Sequence, residues 1–287
     1  GGLIILSFFY LFYFFNLFEL IVFEQIKYEI NTITYFVLVN LIFLLGLLDD
    51  KKDLSPNIKL FSFAIIFLIT ILYDQKLLID FLIFKDFDIN LNIHSISIFF
   101  IIFCLIVFVN ASNMFDGINL QCSSYFLFLN IYLQAVIGYD PFLTLLMIGL
   151  CFFIILNSKN KSYLGDSGVY ILSFIMGIII IKLYNEGYLF CDQILLMMLI
   201  PGVDMIRLTF LRILNGRHPF KADNYHIHHI LGLKFDETKV FIITLSLIVI
   251  PNLLGLLFDS YLFFILISLY LYFYKLSKFK NVRKKIK

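Results

Sequence analysis

The chain has 287 residues, of which 61% are hydrophobic, 18% aromatic and only 15% charged, with a mean hydropathy of +0.96. A soluble domain is about half apolar and a quarter charged, so the composition excludes a soluble globular protein, and the shortness of every polar stretch excludes an appended soluble partner-binding domain. The net charge of +2 excludes nothing as a sum, and the four cysteines, Cys104, Cys122, Cys151 and Cys191, form no CxxC pair and read as small apolar residues rather than disulfides or ligands.

The chain opens Gly1-Gly2 without methionine or a basic n-region, which predicts trimming at the N-terminus and no signal peptide. A bilayer-spanning helix needs about 20 apolar residues. Ten segments qualify, roughly 3–23, 33–48, 57–73, 95–110, 118–137, 141–156, 168–184, 189–213, 239–257 and 260–276. The fold class expected is therefore an all-α polytopic membrane protein of about ten transmembrane helices, with tilt or local thinning serving the shorter ones. Ser55-Pro56 and Asp140-Pro141 each set a capping side chain before a proline at the first helical position. Pro201-Gly202 should interrupt and kink the eighth segment. Segment 74–94 carries Asp80, Lys85, Asp86, Asp88 and His94, too much charge to span, and reads as a surface loop or short hairpin. With no linker and no internal repeat, residues 1–287 read as one domain ending in a basic tail, 277–287.

Charge asymmetry gives orientation. If loops alternate sides, 18 of the 22 Lys plus Arg fall on one side, all but Lys27, Lys76, Lys85 and Lys182. The positive-inside rule makes that side cytoplasmic. Four polar clusters at the edges of apolar runs fall there too: Asp49-Asp50, Asn110 to Gly117, Leu164 to Gly168, and Asp223 to His229. Their gathering predicts one site on cytoplasmic loops.

The residue types suit phosphoryl transfer, where positioning and charge neutralisation supply most of the catalysis. Asp49, Asp50, Asp53 and Asp166 offer hard oxygens of the kind that hold Mg²⁺ together with substrate phosphates. Lys51, Lys52, Lys59, Lys159, Lys161 and Arg217 can neutralise phosphate charge. Asn110 and Asn113, three apart at a helical end, can donate amides to a phosphate or sugar. His226, His228 and His229 can hydrogen-bond phosphate oxygens and, as imidazolium, add charge; the absence of cysteine and of a spaced fourth ligand argues against zinc. Taken singly, each cluster also reads as a turn or a solvated helix end. A secondary transporter is the main rival, and Asp204, after the proline break, is the residue that fits it. A non-catalytic scaffold would leave the four clusters unexplained.

The segment Asp49-Asp50-Lys-Lys-Asp53-Leu54-Ser55-Pro56-Asn-Ile-Lys59-Leu60 resembles the DDxxDLSPxxKL motif of the polyprenyl-phosphate N-acetylhexosamine-1-phosphate transferases, of the glycosyltransferase 4 type. Asn110 to Gly117 resembles that family's NxxNxxDG loop, Gly165-Asp166-Ser167-Gly168 its MGDSG turn, and Arg212 to His229 its RxxxGxxPFxxDxxHIHH loop. The histidine loop is similar to that of the branch using a UDP-N-acetylhexosamine rather than the muramyl-pentapeptide branch. Asn119, Lys221 and Asn224 depart from the usual pattern, Asn119 replacing a second aspartate. Gly1-Gly2 resembles the end of a PRxGG loop, which implies a further helix upstream and a family-like eleven.

The resemblance implies transfer of N-acetylhexosamine-1-phosphate from a UDP-N-acetylhexosamine, with UDP-GlcNAc favoured, to undecaprenyl or another polyprenyl phosphate. UMP is released and cell-envelope glycan synthesis begins. It implies Asp49, Asp50 and Asp116 as catalytic residues and Asp166 with Asp50 as ligands of Mg²⁺, for which Mn²⁺ could substitute. Lys59, Asn110, Asn113, Arg217, His226, His228 and His229 are the implied substrate contacts. The partners expected are the nucleotide sugar, the lipid phosphate and the bacterial inner membrane, with room for a homodimer and none for nucleic acid.

Overall fold

The computed structural model describes residues 1–17, 33–216 and 225–286. The helices are α1 (Gly2–Leu17), α2 (Ile33–Lys52), α3 (Pro56–Tyr73), α4 (Ser97–Phe115), α5 (Gln121–Ile137), α6 (Pro141–Ser158), α7 (Gly165–Asn185), α8 (Cys191–Leu214), α9 (Ile227–Gly232), α10 (Glu237–Phe258) and α11 (Tyr261–Ile286). Among the described residues eight helices are long and apolar enough to cross a membrane: α2, α3, α4, α6, α7, α8, α10 and α11. α1 is a shorter apolar helix, and α5 has 17 residues with Asn130 and Gln134 in its sequence. Each of the ten apolar segments thus carries a helix, in an all-α polytopic membrane protein. Large apolar side chains such as Phe61, Phe99 and Leu257 stand exposed, as a lipid-facing surface requires.

The chain forms two compact units. The first comprises Gly1–Leu82 and Asn90–Leu189 and contains α1 to α7. Its axis is α7, whose span is wholly buried. α2 lies closely along α7 because position 46 is glycine: a Cβ there would run into the Ser167 backbone. Polar side chains tie helices inside the apolar layer, where no water competes for them. The Asn130 amide of α5 donates to the Leu143 carbonyl of α6 at 3.0 Å.

At the C-terminal end of α7, Lys182 is buried and paired with Asp74 at 2.6 Å. The Tyr35 hydroxyl donates to the same carboxylate at 2.7 Å, and the ammonium lies 4.8 Å from the Tyr35 ring centroid. The expected surface hairpin follows, with strands β1 (Phe81–Phe84) and β2 (Ile89–Asn92) paired antiparallel-wise in a two-stranded sheet. Asn185 fastens its approach by donating to the carbonyls of Lys76 and Leu78 at 2.8 and 3.0 Å.

The second unit comprises Ile83–Ile89, the hairpin tip, and Phe190–Lys287. The tip is held by a Lys85–Asp259 ion pair and by the Asp86 N–H donating to Asp192 at 2.9 Å. The Asp86 carboxylate in turn accepts the Leu262 N–H at the start of α11, at 2.5 Å. α8, α10 and α11 pack on one another, with the Asn252 amide of α10 donating to the Leu196 carbonyl of α8 at 3.2 Å.

Two local expectations need correction. α8 runs without interruption through Pro201-Gly202, because the packed neighbouring helices hold a segment that the proline alone would weaken. Ser55 makes no side-chain cap, although Pro56 does open α3; Asp140 caps α6 as expected, accepting the Leu143 N–H at 2.9 Å.

Candidate active site

Asp49 and Asp50 occupy the last full turn of α2, which ends where Asp53 adopts a left-handed φ of 49°. Consecutive helical residues point about 100° apart, so the two carboxylates serve different partners. Asp49 is buried at 3% exposure. Its Oδ1 accepts the Leu54 N–H at 3.0 Å, while Oδ2 accepts the Tyr170 hydroxyl at 2.5 Å and the Lys59 ammonium at 2.7 Å. The motif's own lysine, one turn into α3, therefore neutralises the motif's first aspartate. Only one of the three Lys59 donors is used by this pair, which leaves capacity for a phosphate oxygen.

Asp50 is exposed and turns to α7. Its two oxygens accept the backbone N–H groups of Asp166 and Ser167 at 2.8 and 3.2 Å. These are amides that a helix N-terminus leaves without intrahelical partners, and the helix dipole favours a carboxylate there. Gly165 makes the approach possible: its φ is +68°, and a Cβ at that position would sit 3.0 Å from Asp50 Oδ1. Asp166, in the first turn of α7, brings a third carboxyl within hydrogen-bonding reach of Asp49.

Asp116 terminates α4, its N–H donating to the Ser112 and Asn113 carbonyls. Burial, with the Asp50 charge adding to it, raises its carboxyl to about 7. Asn113 approaches the Tyr170 hydroxyl at 3.5 Å, the outer limit of a hydrogen bond. Asn110 instead turns its amide back to the Ile106 carbonyl of its own helix at 2.8 Å and shares none of the cluster's bonds. Asn119, at the departure from the family pattern, donates to the Asn160 side chain at 2.6 Å. Beside it the Asn157 side chain accepts the Leu120 N–H at 2.7 Å and donates to the Ser162 carbonyl at 2.7 Å. This asparagine group joins the turn after Asp116 to the loop before Asp166.

Asp49, Asp50, Lys59, Asn113, Asp116 and Asp166 are thus brought together within the first unit. Tyr170, bonded to Asp49 and approached by Asn113, is a further member, whereas Asn157 and Asn160 brace the turn after Asp116 without touching the carboxyl group. Tyr170 had a signal: it lies four residues after Asp166, on the same helical face. Among the described residues no three His, Cys, Asp or Glu side chains form a ready metal cage. Asp166, Asp50 and Asp49 carry hard carboxylate oxygens, the donor type that Mg²⁺ takes from one or two carboxylates together with substrate phosphates.

The histidine loop belongs to the second unit. Arg217 lies outside the described residues. His226 precedes the short helix α9, where the motif predicts only loop, and His228 and His229 lie within that helix. The His226 and His228 rings are parallel with centroids 5.5 Å apart, and His229 lies 4.2 Å from His228. His228 does not supply the imidazolium charge expected of it. Burial, reinforced by the neighbouring histidines and only partly opposed by Asp204, lowers its pKa to about 3. It therefore stays neutral at physiological pH. Asp204, read in the sequence as a transporter-like acid, is instead bound to His226 Nδ1 at 2.8 Å.

Residues 32–184, more than half of the chain, match the sequence model of glycosyl transferase family 4. The chain is similar to the undecaprenyl-phosphate alpha-N-acetylglucosaminyl 1-phosphate transferase of Thermotoga maritima, 29% identical over 235 residues covering 79% of this chain and 71% of that protein. The enzyme of the same name from Escherichia coli K12 is 26% identical over 229 residues, 73% of this chain; the chain spans 60% of that relative's length. The phospho-N-acetylmuramoyl-pentapeptide-transferase of Streptococcus sanguinis is 29% identical over 154 residues, 51% of this chain and 46% of that protein. The matched region 32–184 contains every member of the acidic cluster, from Asp49 to Tyr170, and on that footing the chain belongs to glycosyl transferase family 4.

Proposed function

We propose that this membrane protein transfers N-acetylhexosamine-1-phosphate from a UDP-N-acetylhexosamine, UDP-GlcNAc being favoured by the relatives' names, to a polyprenyl phosphate such as undecaprenyl phosphate. A phosphate oxygen of the lipid attacks the β-phosphorus of the nucleotide sugar. The bond from that phosphorus to the bridging oxygen breaks, UMP leaves with the electron pair, and a lipid-linked sugar diphosphate remains. The observation that carries this reading is the closure of two motifs into one acidic group: Asp50 caps the helix that begins at Asp166, while Asp49 pairs with Lys59.

Three carboxyls beside one lysine are poorly suited to bind a diphosphate alone, since like charges repel. Mg²⁺ held by Asp166 and Asp50, with Mn²⁺ as a substitute, would offset the phosphate charge and complete the electrostatics of the site. Lys59 aligns phosphate oxygens with its remaining donors. Asn113 and Asp116 line the donor side. By the family resemblance, Arg217, His226, His228 and His229 are the residues assigned to the diphosphate, with His228 as a neutral hydrogen-bonding ring. The lipid phosphate is already largely dianionic near neutral pH, its second pKa being about 6, so the attack needs little help from a base. The site faces the cytoplasm of the inner membrane, where nucleotide sugars are present.

The test is turnover by purified protein with polyprenyl phosphate, Mg²⁺ and a panel of UDP-sugars, read as UMP release. Release with a UDP-N-acetylhexosamine, lost in EDTA and restored by Mg²⁺, is the expected result. Full turnover in EDTA would remove the metal from the reading, and no release with any UDP-sugar would overturn the reading itself.

A further inference from the structure

Asp204 is a carboxylate in the middle of an apolar helix, 3% exposed. An acid in that setting needs close partners to stay charged, and it has four. Oδ1 accepts Arg207 Nη2 at 2.7 Å and the Tyr272 hydroxyl at 2.6 Å. Oδ2 lies 2.8 Å from His226 Nδ1 and accepts the Ile227 N–H at 3.3 Å. Arg207 extends the clamp, donating through Nε to the Tyr272 hydroxyl at 2.8 Å and through Nη2 to the Tyr225 carbonyl at 2.7 Å. One carboxylate on α8 thus holds the histidine loop, the start of α9 and a tyrosine of α11, and Arg207 offsets its charge.

The arrangement fixes more than a loop. A carboxylate at Nδ1 sets the proton on that nitrogen and holds the ring plane. His226 Nε2 takes part in none of these bonds and is the ring's remaining polar atom. A second observation points to a ligand at the same place. His228, parallel to His226 and 3% exposed, has a buried Nδ1 with no hydrogen-bond partner among the described residues. Buried polar nitrogens are rarely left unpaired, and a phosphate or its bound water would satisfy this one.

We propose that Asp204 is a positioning residue: by holding Nδ1 of His226 it presents Nε2 to the phosphates of the nucleotide sugar. The assignment rests on the transferase reading. Tyr272 and Arg207 hold Asp204 in turn, so a hydroxyl 68 residues downstream acts on His226 through Asp204. A clamp that merely secured the loop would lose stability when broken, but its effect would not depend on the imidazole. A positioning residue acts only through the ring it holds.

A double-mutant cycle separates the two roles. Turnover and the KM for the UDP-sugar are measured for wild type, Asp204→Asn, His226→Ala and the double variant, with thermal midpoints recorded for each. The expected result is a loss in kcat/KM for the UDP-sugar of about tenfold or more for Asp204→Asn, shrinking to within about twofold when His226 is already alanine. Lipid-phosphate KM should move little. Equal losses in both backgrounds would overturn the positioning role while leaving the transferase reading intact. An inactive wild type would overturn the transferase reading and the positioning role with it. If Asp204→Asn does not fold, Tyr272→Phe removes a single donor to Asp204 and repeats the cycle, with a smaller loss that must again vanish without His226.

Discussion

Asp50 accepts the backbone N–H of Asp166 at 2.8 Å, joining residues 116 positions apart in the chain. A side chain from the end of α2 thereby does for α7 what a capping residue ordinarily does from within its own helix. The bond places the two motifs in one rigid piece, and the partial positive charge of the α7 N-terminus eases the crowding of Asp49, Asp50 and Asp166.

That joint depends on Gly165. With φ at +68° and Asp50 Oδ1 3.0 Å from where a Cβ would stand, Gly165→Ala meets backbone strain and pushes the Asp50 carboxylate aside by a few tenths of an ångström. The left-handed conformation alone costs roughly 1–2 kcal/mol for a residue with a Cβ. Turnover should fall further than stability does, because the displaced group is the Asp50 carboxylate. Thermal midpoints in detergent and kcat check this; an alanine variant with unchanged kcat would show that the Asp50 contact is dispensable.

A second prediction concerns the buried pair at the other end of α7. Lys182→Met leaves Asp74 without its cation, and breaking a buried pair from one side costs roughly 3–5 kcal/mol. Adding Asp74→Asn should recover part of that loss, because the orphaned charge is gone. Denaturation of both variants in the same detergent measures it. A loss confined to the single variant's turnover, with normal stability, would contradict a structural role for the pair.

How much of this was legible in the sequence follows from what each residue needs from its surroundings. Asp49, Asp50, Asp116 and Asp166 announce themselves as acids at the edges of apolar runs, and hydropathy places the helices that carry them. Tyr170 does not, because a tyrosine in an aromatic-rich membrane chain reads as packing until Asp49 is seen beside its hydroxyl. Asp204 is ambiguous for a similar reason: its meaning depends on Tyr272, which sequence spacing cannot bring near it. The six residues of α9 are too few to stand out from the histidine loop. Pro201 reads as a break because local rules ignore the packed helices that keep α8 continuous.

His228 gives a pH-dependent prediction. Its folded-state pKa of about 3 lies below the ordinary value of 6.5, so the unfolded chain binds the extra proton between those values. Stability from this group is therefore full above about pH 6.5 and is lost as pH falls toward 3. Acidic side chains also weaken the fold at low pH, so the comparison is between wild type and His228→Gln. The variant should lose less stability between pH 7 and pH 4. Parallel curves for the two proteins would mean that His228 is not held neutral by burial.

The orientation of the chain is open to a direct test. Single cysteines near Lys51, Asn113, Lys161 and His228, in a background lacking the native four, should resist a membrane-impermeant thiol reagent on intact cells. Cysteines near Asp86, Asp140, Glu186 and Asp259 should react. The basis is the 18 of 22 basic residues on the first side, all but Lys27, Lys76, Lys85 and Lys182. Labelling at position 161 or 228 from outside would reverse the orientation.

The central claim is that the sugar and one phosphorus move together to the lipid. UDP-N-acetylglucosamine labelled with ³²P at the β-phosphate and ¹⁴C in the sugar, incubated with the protein, Mg²⁺ and undecaprenyl phosphate, measures this in one extraction. Both labels should enter the organic phase in equal molar amounts, with unlabelled UMP in the aqueous phase and neither label transferred by Asp166→Asn. Transfer of ¹⁴C without ³²P, or of neither label by the wild-type protein, would contradict it.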